Sequence, residues 1–230
     1  MTELDIPLRS ARAVGCLLVL VSLVPIALST DTNIPIGQEA QAIDEHYNQL
    51  HSLEAQFTET YRGSGMERSE SGTLWLKKPG KMRWEYRSPR AKLFVSDGKN
   101  AWFYVPGDKQ ARETPVRKLE DIRSPLAFLL GKTKLEKELQ ALSYAPDITP
   151  ADPNDVVLRG VPRGMQDQIS SVLLEINPEH QIVRIVMDGV DGATTEYRFD
   201  QIHENVQVAD SRFRFAPPAG TETVEGDLGP

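Results

Sequence analysis

Apolar and polar residues alternate with two different periods along the chain. Over residues 38–53 the apolar positions recur at helical spacing with charged and amide residues between them, which predicts an amphipathic helix. These apolar positions are Ala40, Ile43, Tyr47 and Leu50. From residue 53 to residue 62 the period changes to two, which is typical of a strand with one buried face. Glu59 interrupts the apolar row of that strand.

Strand-like patterning continues after this first strand, in short segments bounded by turn residues. The segments are 72–77, 81–87, 93–96, 101–105, 110–116, 156–159, 171–176, 182–188 and 195–202. Pro79-Gly80 separates the first two of them and Asp97-Gly98 the next two, and Asp-Gly favours the left-handed turn of a hairpin. About ten strands with hairpin-sized connections predict an antiparallel sheet, which must curl or split at this size.

The middle of the chain has a different pattern. Residues 119–142 are helical in character, interrupted by Pro125 and Gly131. Within this segment, residues 126–130 are apolar on every side, which favours a short helix with apolar contacts on both faces. The predicted fold class is therefore mainly β (α+β), with a helical insert in a curved antiparallel sheet.

The first 29 residues have the features of a secretory signal peptide, and residues 30–230 are predicted to form a single domain. Arg9 and Arg12 precede an apolar run from Cys16 to Leu28, and small residues flank a cleavage site after Ser29. The alternative is a membrane anchor. However, the run of thirteen residues is too short to cross roughly 30 Å of hydrocarbon. Cys16 opens the run instead of following it, so we do not expect lipidation.

Charge and motifs exclude several classes of function. The net charge of −7 argues against nucleic-acid binding, which needs a clustered basic surface. His46 and His51 are five residues apart on the predicted helix and do not share a face, so they are a poor metal pair. No nucleophile elbow, phosphate-binding loop or dinucleotide fingerprint is present in the sequence. We therefore expect no enzyme activity, no metal and no cofactor.

Four blocks of sequence resemble the LolA-type outer-membrane lipoprotein carriers. They are Ser71 to Tyr86, Leu93 to Tyr104, Ser124 to Leu130, and Phe213 to Gly220. The resemblance implies an incomplete β-barrel closed by a lid of short helices. It also implies a periplasmic carrier without covalent chemistry, which binds the acyl chains of lipoproteins. Its implied partners are an inner-membrane ABC-type lipoprotein-releasing complex and an outer-membrane acceptor protein, and we expect the carrier to be a monomer.

The alternation of the strands predicts which side chains line the acyl-binding cavity. One face of the sheet carries Phe57, Leu74, Leu76, Met82, Trp84 and Tyr86, and the insert would supply Leu126, Phe128 and Leu129 opposite them. An acyl chain fits between two such apolar surfaces. The alternative is that these residues, and Trp75 and Trp102, are ordinary core.

Lys78 is predicted to be the latch of the lid. The resemblance implies an Arg before the turn proline, thought to bond backbone carbonyls of the lid, and this chain has Lys78 there. Lys78 follows Leu74 and Leu76 on the same face by alternation. The alternatives are a solvated charge at the end of the strand and, for the protein as a whole, another function on the same half-barrel. That function would be the binding of free lipids or glycolipids, or the sensing of envelope stress.

Overall fold

The computed structural model describes residues 34–116 and 134–226, so the signal segment predicted over 1–29 lies outside the described residues. Within these ranges the protein is mainly β with few helices. The helices are α1 (Ile36–Gln49), α2 (Leu135–Glu138) and a 3-10 helix (Asp210–Phe213). The strands are β1 (Ser52–Gly63), β2 (Met66–Lys77), β3 (Lys81–Ser88), β4 (Lys92–Asp97), β5 (Asn100–Tyr104), β6 (Gln110–Pro115), β7 (Leu139–Tyr144), β8 (Val156–Pro162), β9 (Ile169–Ile176), β10 (Ile182–Gly189), β11 (Thr194–Glu204) and β12 (Glu222–Glu225). None of the helices in the described ranges is long and apolar enough to cross a membrane.

The twelve strands of the described residues form one sheet in the order β12-β6-β5-β4-β3-β2-β1-β11-β10-β9-β8-β7. Every neighbouring pair is antiparallel except β12 and β6, which run parallel. The order begins at β12 and ends at β7, so the sheet is open and not a closed barrel. Strands that are consecutive in sequence pair with each other from β1 to β6 and again from β7 to β11. The long connection lies between β6 and β7.

The sheet is strongly curved across its centre. β3 and β11 are separated by β2 and β1, which in a flat sheet would place them roughly 14 Å apart. Nevertheless, the rings of Trp84 on β3 and Tyr197 on β11 have centroids only 5.7 Å apart. Their side chains converge because the strands wrap around them, so this face is the concave one.

Helix α1 covers part of the concave face. Its buried residues Ala40, Ile43 and Tyr47 belong to the same core cluster as the concave side chains of the sheet. The Tyr47 hydroxyl accepts a hydrogen bond from the backbone N–H of Ile182, at 2.9 Å. The helical spacing read from the sequence thus produces the face that packs on the sheet.

The convex face is covered by two loops. A C-terminal strap, residues 205–215, crosses β2 to β5 and buries Phe213 against Trp75. Phe215 of the strap contacts Trp102 and Tyr104 of β5. At the other end of the sheet, the turn at Ala145 and Ile148 covers the apolar side chains Val157, Leu173 and Val186. The strap therefore accounts for the large aromatic residues Trp102 and Tyr104 on the convex face of β5.

Two strands were missed by the sequence analysis, and one helix prediction was wrong in part. The helical pattern predicted up to residue 142 ends at Glu138, since Leu139–Tyr144 is β7. Ala141 has a φ of 53° and lies at a register shift against β8, which breaks the alternation that would reveal a strand. β12 is short and acidic, and within the described residues it pairs with β6 at the edge of the sheet. The first helix ends at Gln49, earlier than predicted, because Leu50 is extended.

The first hairpin is longer than its polar sequence suggests. The sequence pattern placed residues 63–71 between the first two strands, but β1 and β2 stay paired up to Gly63 and Met66. The turn is only Ser64 and Gly65, and both have positive φ, 51° and 74°. Positive φ at both central residues is the type I′ arrangement that matches the twist of a hairpin.

Candidate functional site

Six of the predicted cavity residues lie together on the concave face. Phe57, Leu74, Leu76 and Trp84 are buried there, with at most 3% of their surface exposed. Met82 and Tyr86 are partly buried against the same cluster. Leu126, Phe128 and Leu129 lie outside the described residues. The structure brings the six together, and their role in acyl binding stays a prediction.

The aromatic side chains of this face pack edge to face. The ring of Phe57 lies 4.7 Å from Trp84 and 4.9 Å from Tyr86, with interplanar angles of 67° and 81°. Tyr197 and Phe199 of β11 extend the set, since both rings contact Trp84. Such a surface offers area and dispersion contacts to an apolar ligand and few directional bonds. Tyr197 and Phe199 were missed as site residues because their strand follows β1 by more than 130 positions.

Lys78 contacts the end of helix α1. Its Nζ donates to the backbone carbonyls of Tyr47 at 2.6 Å and of Asn48 at 3.0 Å. A cation at this end is favoured by the helix dipole. Burial lowers the pKa of Lys78. Because the predicted lid residues lie outside the described ranges, the latch to the lid remains a prediction. Its contact with α1 was not expected from the sequence.

A polar cluster adjoins the aromatic rings on the same concave face. Glu59, which interrupts the apolar row of β1, accepts a hydrogen bond from the Tyr86 hydroxyl at 2.7 Å. Burial raises the pKa of Glu59 and, more strongly, that of Tyr86. Glu70 lies directly across from Glu59 on β2 and forms an ion pair with Lys92 at 2.5 Å. The concave face is therefore apolar near α1 and polar near the β1–β2 turn.

A model of the family described as "Outer membrane lipoprotein carrier protein LolA" matches residues 48–216. The chain belongs to the LolA family. An outer-membrane lipoprotein carrier protein of Chromobacterium violaceum is 30% identical over 179 residues, which cover 76% of this chain and 82% of that protein. One of Alkalilimnicola ehrlichii is 32% identical over 188 residues, covering 80% and 82%.

A solved structure supports the same fold. The Mycobacterium tuberculosis lipoprotein LppX superposes with a TM-score of 0.50 at 14% identity, covering 76% of this chain and 98% of that chain. At this identity the likeness concerns the fold alone. The LolA family is named for lipoprotein carriage and not for a catalytic reaction. Its match includes β1 to β11 and the C-terminal strap, whereas most of α1 and all of β12 lie outside it.

The convex face of this LolA-family chain has a different chemistry. A groove of about 550 Å³ lies there, lined by charged residues that include Asp155, Glu175 and Arg184. Arg184 bonds Glu175 and Glu196, each at 3.0 Å. Acyl chains do not suit such a surface, because charged groups would lose hydration without gaining partners. Among residues 34–116 and 134–226, no three potential ligand side chains converge on a metal site.

Proposed function

We propose that this protein is a periplasmic carrier that binds the acyl chains of lipoproteins on the concave face and moves them from the inner to the outer membrane. The observation that carries the proposal is the continuous aromatic and aliphatic lining of that face in a chain of the LolA family. The relatives named above are called outer-membrane lipoprotein carriers. The described residues supply an apolar surface. The proposed function requires this surface only to bind and release acyl chains, without a chemical reaction.

The energetics of the cargo suit such a surface. Each methylene removed from water contributes about 0.8 kcal/mol, so a chain of sixteen carbons represents on the order of 10 kcal/mol. A carrier must offset most of this free energy and still release the chain. Aromatic rings supply contact area, and the flexible thioether of Met82 can adapt to chains of different shape. Leu126, Phe128 and Leu129 would cover the bound chain from the lid side.

The proposed route needs two partners. An ABC-type complex in the inner membrane would load the carrier, and an acceptor at the outer membrane would receive the lipoprotein. Lys78 would help to hold the covers of the concave face until transfer. The carrier would act as a monomer, since the bound chains need only one concave face.

Binding of a fluorescent fatty-acid probe tests the site. Met82→Glu places a charge among the concave rings, and we expect it to lower probe affinity by at least about tenfold, because a carboxylate is costly to bury. The matched control is Thr58→Glu, on the other face beside Phe57, which should change affinity less than about twofold. Circular dichroism confirms folding, and Met82→Ala replaces the first variant if that one unfolds. Equal affinity in all variants would place the lipid elsewhere.

Carriage itself is tested with spheroplasts that hold radiolabelled lipoproteins in their inner membrane. We expect the added wild-type protein to release lipoproteins into the soluble fraction as one-to-one complexes. A protein that binds the probe but releases no lipoprotein would contradict the shuttle. Mass spectrometry of lipids that co-purify from the periplasm then separates lipoprotein cargo from free lipid or glycolipid.

A further inference from the structure

One residue on the concave face, Glu59, is ionisable although its neighbours are apolar. Phe57 and Glu59 are neighbours on the same face of β1, and the ring of Phe57 packs against Trp84 and Tyr86. An apolar side chain at position 59 would continue this row, yet the chain has a carboxylate there. Placing a charged group beside aromatic rings is costly unless it has partners. A local choice that costs stability is a frequent mark of a functional position.

Glu59 lies between donors and acceptors from four strands. Tyr197 of β11 is its cross-strand neighbour on one side and Glu70 of β2 on the other. Tyr86 of β3 donates to its Oε2 atom. Lys92 of β4 bonds Glu70 and lies 4.8 Å from the centre of the Tyr86 ring. The cluster therefore combines fixed hydrogen-bond acceptors with a cation at the border of an apolar surface.

Among residues 34–116 and 134–226, the partners of Glu59 use only part of its hydrogen-bonding capacity. A carboxylate can accept about four hydrogen bonds. Tyr86 occupies one of these positions, and Tyr197 faces the same carboxylate. The two tyrosines hold the group in one orientation, so that an incoming donor meets a prearranged acceptor. Acyl chains attached to a peptide carry such a donor, because an amide N–H lies where the apolar chain meets the polar backbone.

We propose that Glu59 accepts a hydrogen bond from the amide N–H that joins an acyl chain to the lipidated residue, and thereby distinguishes lipopeptides from other lipids. The Tyr86 and Tyr197 hydroxyls orient its carboxylate, and Lys92 stands beside it as a donor for ester carbonyl groups. The inference rests on the proposed function and deepens it. The acyl chain lies along the partly exposed side chains of Met82 and Phe94, and its polar junction stops at Glu59.

A pair of ligands that differ in one group tests this assignment. N-palmitoyl glycine methyl ester has the amide N–H, and its ester analogue has oxygen in that place. Each competes with a fluorescent fatty-acid probe on the purified protein. We expect the wild type to prefer the amide by about tenfold, the usual scale for a hydrogen bond to a charged group. Glu59→Leu should abolish the preference while it keeps or strengthens ester binding, and Glu59→Gln should retain part of it.

The control variant is Glu85→Leu, which removes a carboxylate from the opposite face of β3, where it pairs with Arg83. It should keep the preference of the wild type. A wild type that binds both ligands equally overturns the inference even if no variant folds, and so does a preference that survives Glu59→Leu. A wild type from which neither ligand displaces the probe, or which binds no probe, would instead refute the proposed function.

Discussion

Two adjacent lysines at the end of β2, Lys77 and Lys78, bond the segments that cover opposite faces of the sheet. Lys77 donates to the Val208 carbonyl and to Asp210 of the C-terminal strap, each at 2.7 Å. Lys78 donates to the last carbonyls of α1. Successive side chains of a strand point to opposite faces, so the pair serves both. The convex cover is an extended strap, whereas the concave cover is a helix.

The two covers close their faces to different degrees. Under the strap, Phe213 is fully buried and Trp75 is 6% exposed. On the concave face, Phe57 and Trp84 are buried, but Met82, Tyr86 and Phe94 are only partly so. The convex contact is closed around Phe213, whereas the concave contact leaves Met82, Tyr86 and Phe94 within reach of a ligand. Under the proposed function, burial on both faces of one strand has two meanings, structural on the convex face and ligand-binding on the concave face.

The largest expected effect comes from removing one ring from each face. Phe213→Ala and Phe57→Ala should each lower the free energy of unfolding by about 3–5 kcal/mol, because both rings are buried and leave a cavity. In urea-free conditions where both variants are folded, only Phe57→Ala should weaken binding of a fatty-acid probe. Urea denaturation and probe titration measure the two quantities. If Phe213→Ala weakens binding as much as Phe57→Ala, the division between the faces is wrong.

A smaller effect is expected at the lysine pair. Lys78→Met should destabilise the protein by about 1–2 kcal/mol, since two carbonyls at the end of α1 lose a charged donor. Hydrogen exchange should increase in the last turn of α1 and not in residues 205–215. Lys77→Met is the matched control and should show the reverse. Lys78→Arg should keep the protection of α1.

Substitutions of Lys78 also test the predicted latch between this residue and the lid. We expect Lys78→Leu to impair handover of cargo and Lys78→Arg to make the closed state more persistent. Exchange at residues 126–130, with and without ligand, measures this. Protection there that is indifferent to both substitutions would rule out a latch to the lid and leave only the bond to α1.

The smallest effect concerns the pH dependence of the strap. Hydrogen bonds from Lys77 and Lys81 lower the pKa of Asp210 to about 2. A carboxyl with a lowered folded pKa contributes stability above its unfolded value of 3.8, and this contribution is lost as pH falls towards about 2. Carboxyl NMR titration should place Asp210 near 2 in the wild type and nearer 3.8 in Lys77→Met. An unchanged titration would mean that Lys77 does not hold the strap in solution.

The sequence by itself determined most of the sheet and the two faces of its central strands. Alternation assigned Leu74 and Leu76 to one face and Trp75 to the other, and ten strand segments were correctly placed. The helical period of Ala40, Ile43 and Tyr47 likewise identified the buried side of α1. These properties follow from the geometry of a single element, in which the spacing of apolar residues reports which side is buried.

Only the tertiary structure decided what each face meets. Alternation shows that Trp75 and Trp84 point in opposite directions, but not that a strap some 130 residues later buries the first. Alternation identifies Glu59 as the polar exception in an apolar row. It does not show that Tyr86 and Tyr197 converge on Glu59 from other strands. β7 and β12 were missed because their pairing with β8 and β6 carries the information, not their own pattern. Contacts between distant segments arise from curvature and register, which no local period encodes.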